Sequence, residues 1–133
     1  AKLQKQAIDV GLVTAEGDKA VAFYHGLLGF APDGEVPFPG LGVVKRFRCG
    51  DSVFRILALE KPPASEANRD AFAAQSGLRY MTLTVGNLDE LVAEAEAKGY
   101  PVPVPPRVLR PGVRVAQIAD GLGTWVELMQ NGG

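Results

Sequence analysis

With 133 residues the chain fits one domain and is long enough to bury a core of its own. Apolar residues make up 47% and charged residues 22%, and the formal net charge is −1, so there is no electrostatic case for binding nucleic acid or an anionic membrane. No apolar run approaches the ~18 residues that would span a bilayer, residues 1–6 hold no apolar signal core, and a lone cysteine, Cys49, excludes an internal disulfide framework or a multi-cysteine zinc site. The expected compartment is the cytoplasm.

Ile8, Val10 and Leu12 alternate with Asp9, Gly11 and Val13, which predicts a strand. Asp18 is placed to cap the helix that follows, in which Ala20, Phe23, Tyr24 and Leu27 fall on one stripe and Gly29 is the stop. Pro32 to Gly42 is rich in turn formers and leaves room for only a short strand. Val43–Cys49 and Ser52–Leu59 read as two strands around a Gly50-Asp51 hairpin turn. Residues 61–77 read as a linker with one helical turn near Asp70 to Ala74, between a first module at about 6–60 and a second at about 78–130.

Beyond that linker the pattern returns. Tyr80 to Val85 alternates as a strand. Asn87 and Glu90 have the spacing of a capping box ahead of a stripe of Leu88, Leu91, Val92 and Ala95, and Gly99 is the stop. A proline-rich crossing, Pro101 to Pro111, leads to strands at Val113–Ala119 and Thr124–Gln130, joined by a turn through Asp120 to Gly123. Leu12 corresponds to Leu83, Asp18 to Asp89, Gly29 to Gly99 and Gly42 to Gly112, an offset of about seventy residues that marks an internal duplication.

Ile8-Asp9-Val10-Gly11-Leu12, followed by Phe23-Tyr24-His25-Gly26-Leu27-Leu28-Gly29-Phe30, resembles the opening strand and helix of the vicinal oxygen chelate superfamily, the glyoxalase, bleomycin resistance and extradiol dioxygenase group. Asp120 to Leu128 resembles that superfamily's closing segment. The resemblance covers nearly the whole chain. It implies an α+β fold in which two tandem β-α-β-β-β modules form an open curved-sheet barrel with outer helices. It also implies a homodimer and a small-molecule ligand in the cleft. Many members hold a divalent metal there, and their ligand positions match Asp9, Arg55, Tyr80 and Glu127. Only Glu127 keeps a ligand type of the family; Asp9 replaces the usual histidine, and Arg55 has no lone pair to give. With one histidine, His25, which points off the apolar stripe and reads as solvated, the chain lacks the imidazoles of a zinc, nickel or iron site. We therefore expect no tightly bound metal, with magnesium or manganese held weakly by Glu127 and Asp9 as the remaining option.

Glu127 lies between Val126 and Leu128, so it faces away from the helix-packing apolars and toward the cleft. It is a candidate general base or ligand, against the plainer reading of a rim carboxylate paired with arginine. Asp9 has the same logic on the first strand. Arg55, between Phe54 and Ile56, suits a carboxylate or phosphate on a ligand, or a salt bridge to Asp9 or Glu127. Tyr80 reads as a hydrogen-bond donor to substrate or an aromatic wall, and Trp125 as a wall of a hydrophobic pocket. Lys45, Arg46 and Arg48 read as a solvated edge, and Cys49 has no partner histidine. With these residues the resemblance implies a glyoxalase-like enzyme of lyase or isomerase type acting by proton abstraction on a small polar metabolite, carboxylated or not, with Glu127 and Tyr80 catalytic and Arg55, Asp9 and Trp125 binding substrate. The alternative is a non-catalytic, drug-sequestering binder.

Overall fold

In the computed structural model, which describes residues 1–132, the chain divides into a unit spanning Ala1–Ala64 and a second beginning at Ser65. The first contains β1 (Val10–Thr14), α1 (Gly17–Val21) running on into a π-helical stretch (Ala22–Leu27), β2 (Ala31–Phe38), β3 (Gly42–Cys49) and β4 (Ser52–Leu59). The second opens with a 3-10 turn (Phe72–Ala74) and continues with β5 (Tyr80–Thr84), α2 (Leu88–Ala97), β6 (Val104–Arg110), β7 (Val113–Ala119) and β8 (Trp125–Asn131). Each unit holds a four-stranded mixed sheet, ordered β1-β4-β3-β2 in the first and β5-β8-β7-β6 in the second. In each, the first strand runs parallel to the last and the other pairings are antiparallel. This is the α+β, twice-repeated β-α-β-β-β order that the duplication implies.

In the first unit the helical stripe is buried as expected. Tyr24 packs its ring against Phe54 at 4.4 Å between centroids, Phe23 meets Tyr24 edge-on at 4.8 Å, and Phe30 meets Phe54 at 5.6 Å. Rings in such tilted and edge contacts add to the area they bury. The widened π turn brings the adjacent Phe23 and Tyr24 both into the core.

In the second unit the core is aliphatic. Leu88, Leu91, Val92 and Ala95 of α2 are buried, as are Ala116, Ile118, Val126 and Leu128 on the sheet. The helix stops where expected, because the Gly99 and Tyr100 amides fold back onto the carbonyls of Glu96 and Ala95, with Gly99 at φ 85°.

Several local expectations fail for identifiable reasons. The N-cap of α1 is Glu16, and Asp18 sits inside the first turn without a side-chain cap bond. The Asn87–Glu90 pair does not form a capping box; the two side chains meet each other at 3.4 Å, and the Leu88 amide donates to Gln130 Oε1 of β8 at 2.9 Å. The Pro32–Gly42 stretch holds most of an eight-residue strand, Ala31–Phe38, since β2 is an edge where Pro32 and Pro37 need donate nothing, with a register shift between Pro32 and Glu35. The proline-rich crossing likewise contains edge strand β6, with two register shifts. Lys45, Arg46 and Arg48 are not on an edge, because β3 lies between β4 and β2 and its cations pair across to Asp33 and Glu35.

Gly42 is fixed by close approach. A Cβ there would fall 1.9 Å from the Ala58 carbonyl oxygen, a backbone atom that cannot swing aside. Gly42→Ala is therefore expected to cost about 2–3 kcal/mol in urea unfolding, and a loss within experimental error would show that β3 and β4 separate freely at that end.

No helix among the described residues is long and apolar enough to cross a membrane.

Candidate functional site

Strand alternation sorts each sheet into a helix-covered face and a free face. On the first sheet the free face carries Asp9, Gly11, Arg46, Arg48 and Arg55, since Gly11 registers with Arg55 and Arg55 with Arg46. Arg55 Nη2 donates to Asp9 Oδ2 at 3.0 Å, and Lys5 Nζ donates to Asp9 Oδ1 at 2.6 Å. The salt bridge weighed for Arg55 is thus made, to Asp9.

The Lys5 hydrogen bond, with the charges of Lys5, Arg55 and Arg46 behind it, holds the Asp9 carboxyl below the usual aspartate range against a weaker opposing effect of desolvation. Because the folded-state value is the lower one, the resulting stabilisation is present above the ordinary aspartate range. It is lost as pH falls through the depressed folded value. In an NMR titration the Asp9 carboxyl carbon should move at a lower pH than a free aspartate, and Lys5→Ala should bring its midpoint back up. An unmoved midpoint in that variant would contradict the pairing.

On the second sheet the free face carries Tyr80, Thr82, Val115, Gln117, Trp125 and Glu127. Thr82 registers with Glu127, and Glu127 with Gln117. Val126 and Leu128 are fully buried on the opposite face, so Glu127 faces away from α2 as its neighbours require. Thr82 Oγ1 donates to Glu127 Oε1 at 3.1 Å, which orients the carboxylate. Tyr80 registers with Trp125, one step along the strand from Glu127, and is 53% exposed.

The stretch read as a linker supplies the cover of this face. The Phe72 ring sits 5.8 Å from that of Tyr80 and 6.5 Å from that of Trp125. Arg79, only 8% exposed, lays its guanidinium 5.1 Å from the Trp125 ring centre, and Trp125 is 2% exposed. Arg79 also donates to Gln75 Oε1 at 2.5 Å, to the Asn68 carbonyl at 2.7 Å and to the Gly123 carbonyl at 3.2 Å. Beside Phe72 lies a cavity of about 210 Å³, lined by Glu127, Gln117, Arg107, Val104 and Val115 among others. Gln117 is 7% exposed, and its Oε1 is buried with no hydrogen-bond partner among the described residues.

The structure thus brings Glu127, Trp125 and Tyr80 onto one face of the second sheet, and Asp9 with Arg55 onto one face of the first. Sequence reasoning missed Gln117, Phe72, Arg79, Arg107 and Thr82. The signal for Gln117 was a lone amide on Val113–Ala119, and the strand registers place it where the first sheet has Arg46. His25 is exposed, with Nδ1 donating to the Phe30 carbonyl at 2.9 Å, and Cys49 is half-buried at a strand end.

A divalent metal, which the resemblance implies for many relatives, does not suit these residues. The Asp9 carboxylate is engaged by two cations, and the Arg55 position can only donate. Glu127 is held by Thr82 and Tyr80 offers a phenol. No group of three His, Cys, Asp or Glu gathers among the described residues.

The sequence matches the model of the Glyoxalase/Bleomycin resistance protein/Dioxygenase superfamily over residues 8–128. No curated protein matches it significantly. A glyoxalase family protein from Bacillus cereus superposes with a TM-score of 0.84 at 20% identity, covering 100% of this chain and 99% of its own. Lactoylglutathione lyase from Agrobacterium tumefaciens superposes at 0.64 and 22% identity, covering 96% of each chain. The trypanothione-dependent glyoxalase I of Leishmania major superposes at 0.73 and 15% identity, covering 96% of this chain and 87% of its own. At these identities the likeness is one of fold.

Proposed function

The chain belongs to the Glyoxalase/Bleomycin resistance protein/Dioxygenase superfamily, and from that premise we propose that it is a lyase- or isomerase-type enzyme of small polar carbonyl compounds, with Glu127 as the base. The observation that carries this reading is the placement of Glu127. Its carboxylate lines a cavity of about 210 Å³ together with an arginine, Arg107, and an aromatic cover, Phe72. A carboxylate aimed by the Thr82 hydroxyl can take a proton from the carbon next to a carbonyl. The C–H electron pair then moves onto the carbonyl oxygen as an enolate, and the Arg107 guanidinium is the charge at hand to stabilise it. Return of the proton to a neighbouring atom gives isomerisation; loss of a β-substituent gives elimination. Nothing in this sequence of steps needs a metal.

A second reading, a binder that sequesters its ligand, is favoured by the rings of Phe72, Tyr80 and Trp125 gathered at the same face. The two readings separate in one experiment. Small carbonyl compounds are incubated in deuterium oxide with a chelator present, and loss of the α-proton signal is followed for the parent and Glu127→Gln. Exchange in the parent that the variant lacks supports the enzyme; ligands that bind without exchange support the binder.

A further inference from the structure

The cavity of the second unit contains a group that its own fold leaves unsatisfied. Gln117 sits in the middle of the sheet, with Glu127 directly across on β8 and Val104 across on β6. Its Oε1 is buried and accepts no hydrogen bond among the described residues, although the side chain lines the cavity. Burying an acceptor without a donor is unfavourable, and an apolar side chain would fill this place among Val104, Val115 and Ala116 without that cost. An acceptor kept there suits a ligand that brings the donor.

Directly opposed residues on neighbouring strands hold their Cβ atoms about 5 Å apart, and both side chains line one cavity, so one small ligand can meet Glu127 and Gln117 through neighbouring groups. We propose that Gln117 selects substrates bearing an N–H group next to the carbon on which Glu127 acts, that is, amido- or amino-substituted carbonyl compounds. Arg107 lines the same cavity beside Val115 and gives their carboxylate a partner. The inference rests on the reading of Glu127 as the base, and it specifies the substrate class of that same site. A hydrophobic pocket discriminates poorly, whereas a buried polar group left unpaired rejects an analogue lacking its partner.

The test is a matched pair of probes, N-acetylglycine and acetoxyacetate, which differ in N–H against oxygen at the relevant position. Binding is followed by protein-observed NMR at the Trp125 indole and the Gln117 side-chain amide. N-acetylglycine should bind about tenfold more tightly to the parent, and Gln117→Leu should erase the preference while melting no lower than the parent. Equal affinities, a preference for the ester, or no binding of either probe at tens of millimolar would overturn the proposal. So would a preference that survives Gln117→Leu. The parent's own preference needs no variant, so a misfolded Gln117→Leu would not rescue the idea. Discrimination without α-proton exchange would keep the selection of N–H by Gln117 and remove Glu127 as the base; exchange without discrimination would do the reverse.

Discussion

Glu127→Gln should lower the α-proton exchange rate by about two to four orders of magnitude, the usual worth of a positioned general base, while leaving ligand affinity within a few-fold. The amide keeps the size of the carboxylate and can still accept from Thr82 Oγ1, which in the parent lies 3.1 Å from Glu127 Oε1. It cannot hold a proton taken from carbon. The effect should therefore fall on kcat, with KM little changed, as expected for an interaction made in the transition state. Thr82→Val, which removes only the orienting donor, should cost less, about tenfold. A Glu127→Gln protein that exchanges at the parental rate would place the base elsewhere.

The largest stability effect is expected at Arg79. Its guanidinium makes three hydrogen bonds and stacks on Trp125, and it is 8% exposed. Hydrogen bonds to a charged group are each worth about 1.5–3 kcal/mol, and removing the donor strands buried acceptors such as the Gly123 carbonyl. Arg79→Ala should thus lower the unfolding free energy by about 3 kcal/mol. Arg79→Lys should recover a minor part, since an ammonium cannot reproduce the planar fork or the stacking. Trp125 is the only tryptophan, so urea unfolding read by its fluorescence reports on this contact directly. A loss under about 0.5 kcal/mol, the scatter of ordinary surface changes, would mean that the cover from Asn68 to Gln75 is held by something else.

What could be read from the sequence was whatever depends on periodicity. The stripe of Ala20, Phe23, Tyr24 and Leu27, the matching stripe in α2, and the hairpin at Gly50-Asp51 follow from local alternation and turn chemistry, and all appear in place. The sidedness of Glu127 and Trp125 followed from the same rule. What could not be read depends on contacts distant in sequence. Gln130 serves as the cap of α2 across 42 positions, displacing a capping box whose spacing was correct. Proline content concealed β2 and β6 because tolerance of proline depends on edge position, which is a property of the assembled sheet. The cover of the second sheet was hidden for another reason. Phe72 lies in a stretch of linker-like composition and Arg79 just beyond it, and their value comes from what they touch.

The equivalence of Arg55 with Glu127, and of Arg46 with Gln117, has a consequence for symmetry. Two identical subunits related by a two-fold axis repeat every side chain, so such a pair cannot place a cation and an anion at equivalent positions. A tandem chain is released from that constraint. Its helix-facing positions have stayed apolar in both halves, while equivalent free-face positions have diverged: Arg55 and Arg46 on one sheet stand where the other has Glu127 and Gln117. Joining the two copies in one chain thus frees each half to carry its own chemistry on a scaffold that repeats.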